Sequence, residues 1–177
     1  IDSVVEFAAG NITITNTQLI AAGTDSLNSI EIAELTAGAG NDVINATGFT
    51  TGVRTFLAGG AGDDRIFGTN FTDVILGQNG NDLIAGLSGW DLIRGGAGND
   101  TLIGGRGNDT LEAGAGTDNV TETSDVDFVL TDTQLTGLGT DTIIDAEIAT
   151  LNGGASNNTI DASGATTIRA MINGMGG

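Results

Sequence analysis

GGAGDDRIF-GTNFTDVIL-GQNGNDLIA-GLSGWDLIR-GGAGNDTLI-GGRGNDTLE-AGAGTDNVT, residues 59–121, is one nine-residue phrase written seven times. Its sixth place is always aspartate: Asp64, Asp73, Asp82, Asp91, Asp100, Asp109 and Asp118. Its eighth is always aliphatic: Ile66, Ile75, Ile84, Ile93, Leu102, Leu111 and Val120. Glycine recurs at places one, two and four, where it permits a backbone turn with positive φ and a close approach to a ligand. Places seven to nine form a short strand whose middle side chain points inward. Two phrases then complete a coil of 18 residues, with turns alternating between two edges. Coils stack at about 4.8 Å, the spacing of hydrogen-bonded strands. The expected fold is all-β, a parallel β-solenoid with a thin aliphatic core. An eighth phrase, ETSDVDFVL, keeps Asp127 and Val129 and loses its glycines.

The phrase resembles the RTX, or haemolysin-type, calcium-binding nonapeptide G-G-x-G-x-D-x-U-x, which implies a β-roll of stacked coils that binds Ca²⁺. Stacking sets carboxylates 18 residues apart on one edge, where like charges repel. One edge receives Asp64, Asp82, Asp100 and Asp118, and the other Asp73, Asp91, Asp109 and, as an extension, Asp127. A cation between stacked partners removes the repulsion. Carboxylate and carbonyl oxygens are the hard donor set of Ca²⁺, and flexible loops suit it better than octahedral Mg²⁺. Pair counting predicts five sites within 59–121, and a sixth if Asp127 takes part. The resemblance adds the turn residues Gly60, Gly62, Gly80, Gly96, Gly98, Gly105, Gly107, Gly114 and Gly116 to the metal-binding set, with Asp42 outside the block. Phe71 and Trp90 depart from the pattern beside it. Trp90 reads as an exposed turn residue or a contact surface, and Arg94 with Glu112 as a surface salt bridge on one sheet.

The block divides the chain into an N-terminal flank (1–58), the nonapeptide region (59–130) and a C-terminal flank (131–177). The flanks are copies of each other. TNTQLIAAGTDSLNSIEIAELTAGAGNDVINATG (15–48) aligns without gaps to TDTQLTGLGTDTIIDAEIATLNGGASNNTIDASG (131–164), and half of the positions are identical. RTFLAGGAG (54–62) likewise returns as RAMINGMGG (169–177). Because that segment leads into the block the first time, a tandem array continuing beyond Gly177 is expected. Ile1 is not an initiator methionine, which marks an excerpt or a processed chain. The aspartate column reads on into the flanks as Asp25, Asp42, Asp64, Asp82, Asp100, Asp118 and Asp141, with Asn158 where a further aspartate is expected. These irregular spacings suggest coils with four or five residues looped out. NITIT (11–15) and FVLT (128–131) read as strands. The flanks therefore continue the solenoid as calcium-poor coils. No cap closes either end, so a longer rod or docking onto neighbours is implied.

Composition excludes much else. The 177 residues contain no histidine, cysteine, proline, lysine or tyrosine, so imidazole or thiolate metal sites and Ser-His or Cys-His nucleophiles are out of reach. A net charge of −18 repels nucleic acid and anionic membrane. No apolar run is long enough to insert into a membrane. Every prominent carboxylate pair is explained by the repeat, so no enzyme is expected. A Thr/Asn ladder for ice binding is broken at place five by Trp90. The reading is a structural calcium-binding module of an extracellular, cell-surface bacterial protein, exported by a type I-like route. It folds on external Ca²⁺ and self-associates end to end or laterally. The alternative is the calcium-dependent folding or secretion module of an exported hydrolase or toxin.

Overall fold

A computed structural model describes residues 2–21 and 23–174, and every regular element in it is a strand. In the N-terminal flank these are β1 (Ser3–Phe7), β2 (Ile12–Thr15), β3 (Gln18–Ile20), β4 (Thr24–Ser26), β5 (Ile32–Thr36), β6 (Val43–Gly48) and β7 (Arg54–Ala61). The nonapeptides supply β8 (Arg65–Phe67), β9 (Thr72–Asn79), β10 (Leu83–Gly89), β11 (Leu92–Ala97), β12 (Thr101–Gly107) and β13 (Thr110–Ala115). Then follow β14 (Asn119–Ser124), β15 (Phe128–Thr131), β16 (Gln134–Thr136), β17 (Thr140–Ile144), β18 (Ile148–Gly153), β19 (Ile160–Gly164) and β20 (Arg169–Asn173). They form two ten-stranded sheets, one running β1-β5-β7-β9-β11-β13-β17-β16-β15-β19 and the other β20-β18-β14-β12-β10-β8-β6-β2-β3-β4. The fold is the parallel β-roll expected from the repeat.

Within the block the register advances by one coil, 18 residues, at every step. Leu83 lies opposite Thr101, and Leu92 opposite Thr110. Place eight fills the space between the sheets: Ile66, Ile75, Ile84, Ile93, Leu102, Leu111 and Val120 are all fully buried. Burial of this single aliphatic column, at about 25 cal/mol per Å² of apolar surface, is the main force holding the sheets together. Apart from β8, which has three residues, the strands of the block are longer than the three residues expected. β9 has eight and β12 seven, because pairing resumes past each turn's first glycine, as Gly96 opposite Gly114 illustrates. Arg94 and Glu112 pair across β11 and β13 on the outer face, half-exposed, where such a contact adds little stability.

The flanks continue both sheets, though not by looping residues out alone. Between β5 and β7 the step is 22 residues, Ile32 opposite Arg54, so four residues are accommodated in the turns. Elsewhere the extra chain becomes a three-stranded antiparallel meander laid into the sheet. β2-β3-β4 forms one, and β15-β16-β17 forms its counterpart. The duplication seen in the sequence holds in detail. Ser29 and Asp145, 116 positions apart, both take left-handed φ values of 56° and 59°. Seven phrases are an odd number of half-coils, so the first meander lies in one sheet and the second in the other. Of RAMINGMGG, residues 175–177 lie outside the described residues.

Candidate metal centre

Each place-six aspartate points inward at the end of the aliphatic column, where the chain leaves one sheet for the other. Asp64, Asp73, Asp82, Asp91, Asp100, Asp109 and Asp118 are at most 3% exposed, and Asp42 is 7%. One carboxylate oxygen of Asp64, Asp82, Asp91, Asp100, Asp109 and Asp118 accepts the amide of the aspartate one coil earlier. The Asp64 amide donates to Asp82 Oδ1 at 2.8 Å, Asp82 to Asp100 at 2.8 Å, and Asp100 to Asp118 at 2.7 Å. The Asp42 amide donates to Asp64 at 2.8 Å, which brings the flank residue into this column. On the other edge the Asp73 amide donates to Asp91 and the Asp91 amide to Asp109, both at 2.9 Å.

The second carboxylate oxygen is the unusual one. Oδ2 of Asp42, Asp64, Asp82, Asp91, Asp100, Asp109 and Asp118 is buried and has no hydrogen-bond partner. A buried polar atom left unpaired costs on the order of 1–3 kcal/mol, and more when charged. Burial pushes the place-six carboxyls up, Asp91 to about 8 and Asp82 to about 6, with Asp64, Asp73, Asp100, Asp109 and Asp118 also raised. Seven orphaned oxygens in one repeated geometry call for a proton or a cation.

The glycines build the remaining wall. Gly60, Gly62, Gly80, Gly96, Gly98, Gly105, Gly107, Gly114 and Gly116 all have left-handed φ, and a Cβ on any of them would collide with a backbone carbonyl of the preceding coil. Place one has a different reason for glycine. Its φ is not left-handed, but a Cβ on Gly77 or Gly95 would strike Oδ2 of Asp82 or Asp100 within its own phrase. The same position on Gly95 lies 2.5 Å from the Ala113 carbonyl oxygen. Carboxylate and carbonyl oxygens thus crowd each turn. Among the described residues no three carboxylates form a metal-binding cluster, so a cation here depends on backbone carbonyls. That donor set fits Ca²⁺, which accepts carbonyl oxygen in irregular numbers.

Several expected positions move. Asp127 does not extend the second column: the meander carries it outward, where it is exposed to solvent and accepts the Thr159 amide at 2.7 Å. Asp141 takes its place, accepting the Asp109 amide at 3.0 Å, so it belongs to the second edge rather than the first. Burial pushes Asp141 to about 6. On the first edge Glu147 closes the column by accepting the Asp118 amide at 2.9 Å. Asp25, the counterpart of Asp141, is exposed on β4. Asp73 differs from the other column members. The Thr69 amide donates to its Oδ2 at 2.6 Å, and the Thr55 hydroxyl to its Oδ1 at 2.7 Å, so hydrogen bonds satisfy both oxygens. Asn158 replaces an aspartate and is likewise satisfied, by Asp125 and the Gly154 amide. Trp90 is 70% exposed.

Two features were not read from the sequence. Glu122 occupies a place-one position yet is only 3% exposed, and burial pushes it to about 7. Its Oε1 accepts the Gly105 amide at 2.8 Å. Place five on the first edge is also a ladder. Asn41, Asp63, Asn81 and Asn99 each accept the backbone amide of the residue one coil later, ending at Thr117. Sorting place five by edge, two phrases at a time, exposes this ladder, whereas reading it straight along the chain hides it.

The family model of the RTX calcium-binding nonapeptide repeat matches four segments, 34–48, 58–89, 86–120 and 148–165, just over half of the chain. The chain belongs to the RTX calcium-binding nonapeptide repeat family. It is a calcium-binding repeat module, and the outer two matches carry the RTX signature into both flanks. No curated protein and no solved structure matches the chain significantly.

Proposed function

We propose that this RTX module is a calcium-set structural element of an exported, cell-surface protein, disordered in its block when calcium is scarce and rigid when it is plentiful. The observation that carries the reading is the column of buried carboxylates with one oxygen amide-bonded and the other unpartnered. Each step with such an oxygen would hold one ion: Asp42/Asp64, Asp64/Asp82, Asp82/Asp100, Asp100/Asp118 and Asp118/Glu147 on one edge, and Asp91/Asp109 and Asp109/Asp141 on the other. Carbonyl oxygens of the turn glycines would complete each shell. The ion supplies charge neutralisation and ties successive coils together, while the chain's own residues supply the cradle.

Binding that requires the folded turn is folding free energy, so the calcium concentration sets the folded fraction. Sites of the extracellular class, with Kd of about 10⁻⁴–10⁻³ M, fill outside a cell and empty inside it. The unsatisfied block then stays extended during export and closes afterwards. The unpaired outer edges of β1, β4, β19 and β20 among the described residues support assembly into fibrils or a surface layer.

Equilibrium dialysis with ⁴⁵Ca²⁺ tests the site assignment. Asp82→Ala with Asp100→Ala removes a ligand from three steps and lowers the bound calcium by three. An unchanged count overturns the stacked-step assignment.

A further inference from the structure

The first seven strands and the last seven are two castings of one unit, and they differ in what precedes them. In front of the second casting stands the exit end of the nonapeptide block. β17 pairs with β13, setting Thr142 opposite Thr110, and β14 pairs with β12, setting Asn119 opposite Thr101. The Asn119 amide donates to the Asp100 carbonyl at 2.9 Å and the Thr142 amide to the Asp109 carbonyl at 2.8 Å. Asp141 and Glu147 accept the amides of the last two turn aspartates, Asp109 and Asp118. Val120, Ile143 and Asp141 are buried there.

The first casting keeps nearly all of these groups and has no strand on the corresponding edges of β1 and β4 among the described residues. Val4 and Leu27, the counterparts of Val120 and Ile143, are half-exposed against the core, and Asp25 faces solvent. Glu31 already performs the task of Glu147. It accepts the Asp2 amide at 2.7 Å, and Asp2 stands where Asp118 stands in the second casting.

We propose that the β1/β4 face is the docking surface for the exit end of a further nonapeptide block, of the kind formed by residues 86–118, with its last turn aspartate of the second edge seated on Asp25. The far end of a second copy does not fit as well. It presents β19 and β20, whose counterparts β6 and β7 pair with β8 and β9 at the entry of a block, and it carries Asn158 where β6 follows Asp42. The docking proposal rests on the calcium reading only for the folding of the incoming block.

The test joins a second copy of residues 54–118 to Ser3 of this chain, so that the new Asp118–Ser3 bond reproduces the native Asp118–Asn119 one, and measures amide hydrogen exchange in calcium. The Ser3 and Ser26 amides, counterparts of those of Asn119 and Thr142, slow by about 100-fold or more relative to the unjoined chain. Asp25→Ala reverses at least about tenfold of the slowing at Ser26, and in the unjoined chain it changes nothing there. Equal Ser3 and Ser26 rates in joined and unjoined chains, with the added block itself protected, overturn the proposal. An added block that stays unprotected overturns it too. Protection of residues 59–121 in the unjoined chain reports separately on the calcium reading.

Discussion

The turns of the block and the turns of the flanks solve the same problem with different materials. In the block, a buried carboxylate keeps an oxygen that no group of the protein satisfies. In the flanks, short polar side chains close the turns internally. Asn16 accepts the Thr50 and Thr51 amides at 2.6 and 3.1 Å, and its counterpart Asp132 accepts those of Thr166 and Thr167 at 2.6 and 2.7 Å. Asn11 accepts the amide of Val43, the first residue of β6, and Asp127 that of Thr159, just before β19. The block thus leaves oxygens for an outside group, whereas the flank turns, Asp42 excepted, are closed by their own side chains. In the calcium-set reading proposed above, the first would be the part that responds and the second the part that stays put.

Removing calcium is the harshest test of that contrast. With chelator at neutral pH, amides of β8–β13 lose most of their protection, while those of β15–β19 retain far more. Uniform loss along the chain in hydrogen exchange would erase the distinction between the regions.

Acid should partly replace the metal. Burial raises Asp82 and Asp141 from the unfolded value of 3.8 to about 6 and Asp91 to about 8. A raised folded pKa contributes stability that is complete below pH ~3.8 and is lost as pH rises through the folded value. Metal-free chain therefore melts at a higher temperature at pH 5 than at pH 8. Calcium binding at pH 7 releases protons, measurable from the buffer dependence of the binding heat.

Within one edge, Asp91 and Asp73 sharpen the comparison. Asp91→Asn reduces bound calcium, whereas Asp73→Asn, whose oxygens already have threonine partners, leaves the count unchanged. The smallest effect is conformational. Gln78 and Leu87 hold φ values of 83° and 82° at place two, where four other phrases have glycine. Replacing either by glycine relieves about 1 kcal/mol of left-handed strain, seen as a small rise in melting temperature in calcium.

The block was legible because its period is rigid. A fixed 18-residue step determines which residue lies under which, so Asp82 beneath Asp64 needs no structure. The flanks broke that arithmetic. The step from Asp109 to its partner Asp141 spans 32 residues, because a meander is inserted, and meander strands are too short to announce themselves by alternation. Asp127 sits at the expected spacing and in the wrong place for that reason. Glycine at place one was legible as a turn residue, but its cause, the inward carboxylate of its own phrase, required the side-chain positions. Glu122 at that same place, buried and amide-bonded, could not be anticipated from a pattern in which it counts as a lost glycine.

The two meanders have a mechanical consequence. Each adds two strands to one sheet only, a wedge of about 10 Å at ordinary strand spacing. Had the block contained an even number of phrases, both wedges would thicken the same side and a string of such units would curl like a barrel hoop. Seven phrases turn successive wedges to opposite sides, and both sheets finish with ten strands. In the docked array proposed above, such tilts would cancel in pairs and the string of modules would run straight.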